Sequence, residues 1–214
     1  ISEDNGNSFE PVPADVASAP LTGILTLAFD PAFNSNKTIY AASRTAEEGV
    51  FRYIVGGGGN WESLDGTLPA GAIVDRLVAA DDGTLYAANS HAGSGMERCL
   101  NPAHSSGATF ETVTRGLSES TTLSGLWHSG HRLWSVDSTN TRLMTCDDNL
   151  TGPVTLASPA EKASGIGTLS SHTVRNIGLD WEALEGATSY QWQLDKDTDL
   201  SSVPEGFEGT AGAS

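Results

Sequence analysis

Basic residues are scarce: Lys and Arg together number 11 against 27 Asp and Glu, a formal net charge of −16. Nucleic-acid binding draws on a basic patch, and adsorption to anionic lipid draws on clustered Lys and Arg, so the composition speaks against both. No run of 18 apolar residues occurs, which excludes a membrane-spanning helix. The start shows no basic segment leading into an apolar one, so no signal peptide is read. The chain opens on Ile1 rather than Met, as it would had a leader been removed or lain outside it. No G-x-S-x-G nucleophile elbow is present. The glycine-rich "VGGGGNW" lacks the Lys-Ser/Thr of a phosphate loop and opens no helix, so it reads as a hairpin tip.

What the chain has in quantity is Gly (24), with 9 Pro and many Ser, Thr, Asn and Asp, the composition of short strands joined by turns. "LTLAFDPAFNSNKTIYAAS" (25–43) sets two apolar stretches around a polar linker and is followed by "GVFRY" and "NWESL". The pattern returns in "DRLVAADDGTLYAANSHAGSGMERC" (75–99) and in "SGLWHSGHRLWSVDSTNTRLMTC" (124–146). Tyr40, Tyr86 and Trp134 align at spacings of 46 and 48; Phe51, Met96 and Leu143 align at 45 and 47; Trp61 and Phe110 stand 49 apart. A period near 47 with four short strands per unit predicts β-propeller blades. The first two strands of each unit are expected to be buried on both faces, with Ala41, Ala42, Ala87 and Ala88 at the crowded inner part.

These stretches resemble the bacterial Asp-box (BNR-like, sortilin-like) propeller repeats of secreted and surface proteins. "SEDNGNSF" matches the box S-x-D-x-G-x-x-F/W through Ser2, Asp4, Gly6 and Phe9. The resemblance implies a hairpin between third and fourth strands, with the carboxylate tying down turn backbone, Gly at an unusual φ and the aromatic packed inward. The other copies depart from the box: "YIVGGGGNW" has no Asp, "NPAHSSGATF" keeps Gly107 and Phe110, and "DDNLTGPV" keeps little. The expected fold is all-β, with about three and a half four-stranded blades over 1–156 and the start of a β-sandwich over 157–214.

That tail carries "TVRNIGLDWEALEGATSYQWQLDKDTDLSSV" (173–203), which alternates as two strands joined by a short turn and resembles a fibronectin type III domain. The resemblance implies Trp181 buried against Tyr190, with "SPAEKASGIGT" as the entering strand. A sandwich of this kind needs ~90–100 residues, and the tail has 58. Both ends therefore read as incomplete: a fragment of a longer protein, a propeller closed by another chain, or a small open β-structure.

Chemistry is sparse. Cys99 and Cys146 occupy equivalent third-strand places, expected more than ~10 Å apart against the ~7 Å limit for a disulfide. They read as two small buried hydrophobes, with a disulfide as the alternative. In "WHSGH", Trp127 is expected in the core and His128 and His131 beside a solvent turn, without the further ligands zinc needs. His91, His104 and His172 stand alone in polar loops. Asp195, Asp197 and Asp199 in "DKDTDL" begin like a calcium loop, but Leu200 and Gly206 stand where Gly and Glu are required, leaving a solvated turn or a loose calcium site. "NKT" at Asn36 and "NLT" at Asn149 are formal glycosylation sequons in turns. Asp-box propellers include sialidases, which need clustered arginines and a Tyr with a carboxylate partner. Arg52, Arg98 and Arg142 are read instead as parallel third-strand residues, and no catalytic set is identified.

The expectation is a non-catalytic structural or adhesive module of an envelope, surface layer or extracellular assembly, located outside the cell or at its surface. No cofactor is expected, with a loose calcium site at Asp195, Asp197 and Asp199 as the alternative. Its expected partners are other protein chains or copies of itself meeting at open strand edges. The alternatives are a carbohydrate-active, sialidase-like propeller and a carbohydrate- or protein-binding domain, the last marked by an exposed aromatic patch.

Overall fold

The computed structural model describes residues 2, 4–12, 21–64, 66–103, 108–114, 116–130, 132–148, 154, 156–159, 168–170, 173–175, 178–182, 187, 189–193 and 208–212. Two compact units result, Ile1–Asp148 and Asn149–Ser214. Both are built from small antiparallel sheets.

In the first unit, β1 (Leu25–Phe29), β2 (Thr38–Ser43), β3 (Val50–Ile54) and β4 (Glu62–Ser63) form a four-stranded meander. The β1–β2 connection is more than the turn expected. It holds one helical turn, α1 (Phe33–Asn36), closed by Lys37 in the left-handed region at φ 56°. β5 (Val74–Ala79), β6 (Leu85–Asn89), β7 (Gly95–Cys99) and β8 (Glu111–Val113) repeat the meander. β9 (Leu123–Ser129), β10 (Arg132–Asp137) and β11 (Arg142–Asp147) form a three-stranded sheet with β11 at its edge.

Cross-strand partners fix which residues are equivalent. Tyr40 faces Arg52, Tyr86 faces Arg98 and Trp134 faces Thr145, so the aromatic landmarks hold. Ala41, Ala87 and Ser135 face Phe51, Glu97 and Met144. The second set of landmarks, Phe51, Met96 and Leu143, is therefore one residue out of register in its last two members. Matching by hydrophobicity passed over Glu97, a carboxylate in a wholly buried position. Arg142 likewise does not parallel Arg52 and Arg98, because it faces Asp137 instead. Cys99 and Cys146 do correspond, opposite Leu85 and Leu133, and no disulfide joins them.

Because side chains alternate across a strand, each sheet has two distinct faces. One face of the first sheet supplies Ala28, Tyr40, Ala42 and Val50 to a core shared with Val74, Leu77, Leu85, Ala87, Cys99 and Phe110 of the second. The opposite face of the second sheet supplies Tyr86, Ala88 and Met96 to a core shared with Leu123, Leu126 and Leu133 of the third. The sheets meet through their leading strands, β5 on β1 and β2, and β9 on β5 and β6. Every residue of β2, β6 and β7 is buried. β1 departs from the expected double burial, since Leu25, Leu27 and Phe29 are exposed.

In the second unit, β12 (Leu156–Ser158) pairs with β15 (Asp180–Trp181), β13 (Thr168–Ser170) with β14 (Thr173–Arg175), and β16 (Ser189–Gln193) with β17 (Glu208–Gly212). The hairpin expected over 173–203 is not formed, since β15 and β16 each take another partner. β12 belongs with the tail through β15, so the divide falls after Asp148 rather than after 156. Trp181 does meet Tyr190, with ring centroids 5.3 Å apart.

Candidate functional site

The polar groups of the first unit gather at the seams between its sheets. The leading strand of each sheet lies at an edge, and its backbone N–H groups need partners. Leu77 N of β5 donates to Thr26 Oγ1 of β1 at 3.2 Å, and Gly125 N of β9 donates to Asp75 Oδ2 of β5 at 2.7 Å. One sheet thus satisfies the edge of the next. Asp75 is also held from the other side by Arg44 at 2.9 Å.

Further out, each seam holds a Tyr and an Arg with their acceptors. In the first, Tyr40 Oη donates to Asp30 Oδ2 at 2.7 Å. Asp30 also accepts from Ala32 N and Asn36 Nδ2 at 2.8 Å each, which fixes the α1 connection to β2. Arg52 Nε donates to Glu62 of β4 at 3.1 Å, and its Nη1 reaches the Pro102 carbonyl beyond β7 at 3.0 Å. In the second, Arg98 Nε donates to Glu111 of β8 at 2.8 Å. Its Nη1 meets both Asp148 oxygens, beyond β11, at 2.6 and 2.7 Å. Tyr86 Oη donates to the same Asp148 at 2.8 Å. Arg98 and Asp148 are each 6% exposed, so this is a charge pair removed from water. Burial, and then Asp30, pushes the Tyr40 hydroxyl far above its ordinary range. Burial opposes the charge of Arg98, but Asp148 and Glu111 together outweigh it and raise the value.

Sequence reading missed a further buried group. Glu97 is wholly buried and accepts from Asn89 Nδ2 at 2.9 Å and Thr112 Oγ1 at 2.7 Å, both neutral donors. Asn89 also takes the N–H groups of Ile73 and His91 at 3.1 Å, so the trio anchors the loops at one end of the second sheet. An acidic residue in the middle of a short third strand, next to Arg98, was the available signal.

Among the described residues, apolar side chains stand exposed on the outer sheet faces, and a cavity lies between two sheets. On the outward face of the first sheet, Leu25, Leu27 and Phe29 are 51–60% exposed, beside Ile24 at 65%. On the outward face of the third, Trp127 is exposed and pairs across strands with Trp134. Trp127 is therefore not the core residue expected, because the core-facing positions of β9 are Leu123 and Leu126. Arg132 holds Asp147 through two bonds of 2.7 and 2.8 Å beside the tryptophans, and Ser129 completes the same shallow hollow. Between the second and third sheets lies a cavity of about 110 Å³. Its lining includes Val113, Gly116, Leu117, Met144 and Cys146, with Tyr86 and Asp148 at the polar side.

Ser2, Asp4 and Gly6 share one turn, in which Gly6 N donates to Ser2 Oγ at 2.8 Å. Asp4 accepts from Ser2 Oγ and Ser8 N at 2.9 Å and from Ser8 Oγ at 2.7 Å, and Gly6 sits at φ 89°. These donors hold the Asp4 carboxyl down at about 2. Phe9, however, is 78% exposed rather than packed inward. Asp195, Asp197 and Asp199 lie outside the described residues, as do His104, His131, His172 and Asn149. Among the described residues no group of three His, Cys, Asp or Glu could hold a metal ion. His91 Nδ1 lies 2.8 Å from the Gly71 carbonyl. Asn36 is engaged on both amide atoms, by Asp30 and by Thr38 N. Among the described residues no helix is long and apolar enough to cross a membrane.

No protein-family profile and no curated protein matches the chain. Among solved structures, the extracellular domain of a hybrid two-component system protein from B. thetaiotaomicron is similar at 13% identity and a TM-score of 0.36. That match covers 62% of this chain and 18% of the other.

Proposed function

We propose that this chain is a non-catalytic structural or adhesive module of an extracellular or cell-surface protein, and that its stacked sheets are blades of a β-propeller of the Asp-box kind. The observation that carries the reading is the duplication of the seam. Tyr, Arg and carboxylate are the groups a sialidase-like site needs, but here they recur at successive sheet contacts. Each arginine reaches a segment of the next sheet: Arg52 to Pro102 and Arg98 to Asp148. A catalytic centre is built once, facing substrate; a joint is built at every repeat. The tail is read as the opening part of a fibronectin-like sandwich on the Trp181–Tyr190 contact.

Open apolar faces at both ends of a repeated stack suit a protein that meets further sheets of its own kind. The test is absolute mass by light scattering, over a concentration series of the full chain. A mass that rises with concentration supports the reading. A monomer through the hundred-micromolar range counts against it.

A second reading rests on the hollow at Trp127 and Trp134. An indole pair beside a bidentate Arg132–Asp147 pair offers a flat apolar surface and planar polar groups, which suits a sugar ring. Indole fluorescence titrated with an oligosaccharide panel tests it: saturable quenching that is lost in Trp127→Ala favours carbohydrate binding.

A further inference from the structure

We propose that the hollow on the outward face of the third sheet is a binding subsite for an uncharged pyranose, which stacks on Trp127 and Trp134, places neighbouring hydroxyls on the Arg132–Asp147 pair and is held there without being cleaved. The inference rests on the second reading above and adds to it the class of sugar and the lack of hydrolysis.

The strand registers arrange this face in two rows. Trp127, Trp134 and Thr145 stand opposite one another across β9, β10 and β11. Ser129, Arg132 and Asp147 do the same two residues along each strand. Side chains two residues apart share a face and stand about 7 Å from each other. An indole row therefore lies beside a polar row. The hollow lined by Trp127, Ser129, Arg132, Trp134 and Asp147 has a volume of about 390 Å³, within the ~300–1,000 Å³ of small-ligand sites.

This face is not built as the two seams are. Where the third sheet has Trp134, the first two have Tyr40 and Tyr86, both buried. Opposite those tyrosines stand Ala28 and Val78, and opposite Trp134 stands Trp127. Arg52 and Arg98, which reach the next sheet, give way to Thr145. The arginine that ties one sheet to the next is thus replaced. In its stead the face carries an indole that is 61% exposed and an ion pair that closes on itself.

The charge of that pair selects the ligand. Arg132 donates Nε and Nη2 to the two Asp147 oxygens at 2.7 and 2.8 Å. An acidic sugar would meet a carboxylate beside the cation, on a chain whose formal net charge is −16. A neutral sugar suits both groups: one hydroxyl donates to Asp147 while its neighbour accepts from a remaining Arg132 N–H. The C–H face of its ring lies on indole. Among the described residues one carboxylate lines the hollow, whereas glycoside hydrolysis generally takes two.

The experiment titrates the indole fluorescence of the full chain with neutral hexasaccharides of β-1,4-glucose, β-1,4-mannose and α-1,4-glucose, and with hexagalacturonate and sialyllactose as acidic probes. At least one neutral hexasaccharide is expected to quench saturably, about tenfold tighter than either acidic probe, and Trp127→Ala is expected to weaken it about tenfold. Asp147→Asn releases Arg132 and is expected to raise the affinity for hexagalacturonate, a gain that loss of structure would not produce. Chromatography after prolonged incubation is expected to return the saccharide uncut. An acidic probe bound as well as the neutral ones, or a cleaved saccharide, overturns this inference and leaves sugar recognition standing. Binding of none of the probes, or quenching that survives Trp127→Ala, overturns both.

Discussion

Asp4 orders a turn by itself: one carboxylate takes the Ser8 amide and two hydroxyls, while its neighbour Gly6 supplies the left-handed backbone. Its value in the folded chain, about 2, lies below the ordinary 3.8. A depressed carboxyl contributes order above its unfolded value and loses it as pH falls through the folded one. The amide resonances of Gly6 and Ser8 are therefore expected to titrate with a midpoint near 2. A midpoint near 3.8 would mean that the turn does not hold the carboxylate. Cys99 makes the opposite case, its thiol pushed up to about 11 chiefly by burial. Near neutral pH it carries little thiolate, and the thiolate is the nucleophile. Mass spectrometry of the alkylated native chain should therefore show Cys146 modified well before Cys99.

At the scale of elements, the seams explain why short strands stay together. Thr26 accepts the Leu77 N–H, and both groups are inside the structure. Thr26→Val keeps the shape and removes the acceptor, leaving a buried donor without a partner. The expected loss is about 1–3 kcal/mol in urea unfolding. A loss within a few tenths would place that edge in contact with water. Much of this level was legible in the sequence. The turn-bounded apolar runs gave the strands, and the Tyr40, Tyr86 and Trp134 spacing gave the repeat, because a strand's partners are close in sequence. What was not legible depends on contacts between sheets about 50 residues apart. Arg52 and Arg98 read only as parallel third-strand residues, since nothing local indicates that Pro102 and Asp148 come to meet them. Glu97 broke the register because hydrophobic matching has no place for a buried carboxylate. Phe9 read as inward on the resemblance alone, which places the box in a hairpin between two strands, whereas residues 9–12 form no strand. In the tail, pairing between distant strands such as β12 and β15 defeated a reading based on neighbouring runs.

At the scale of the first unit, the account is that repeated sheets are joined through buried polar seams, and that these groups are structural. The pair Arg98–Asp148 joins the second sheet to the third and is the most enclosed of the seam's ion pairs. A double-mutant cycle on Arg98→Met and Asp148→Leu, read by urea unfolding of the full chain, measures it directly. Each single change takes from a buried charge its partner across the seam and is expected to destabilise by about 3–5 kcal/mol. The double change removes both charges and should be no worse than the harsher single. Single effects that simply add, within about 0.5 kcal/mol, would mean that the two groups are not coupled, and would contradict the account of the seam.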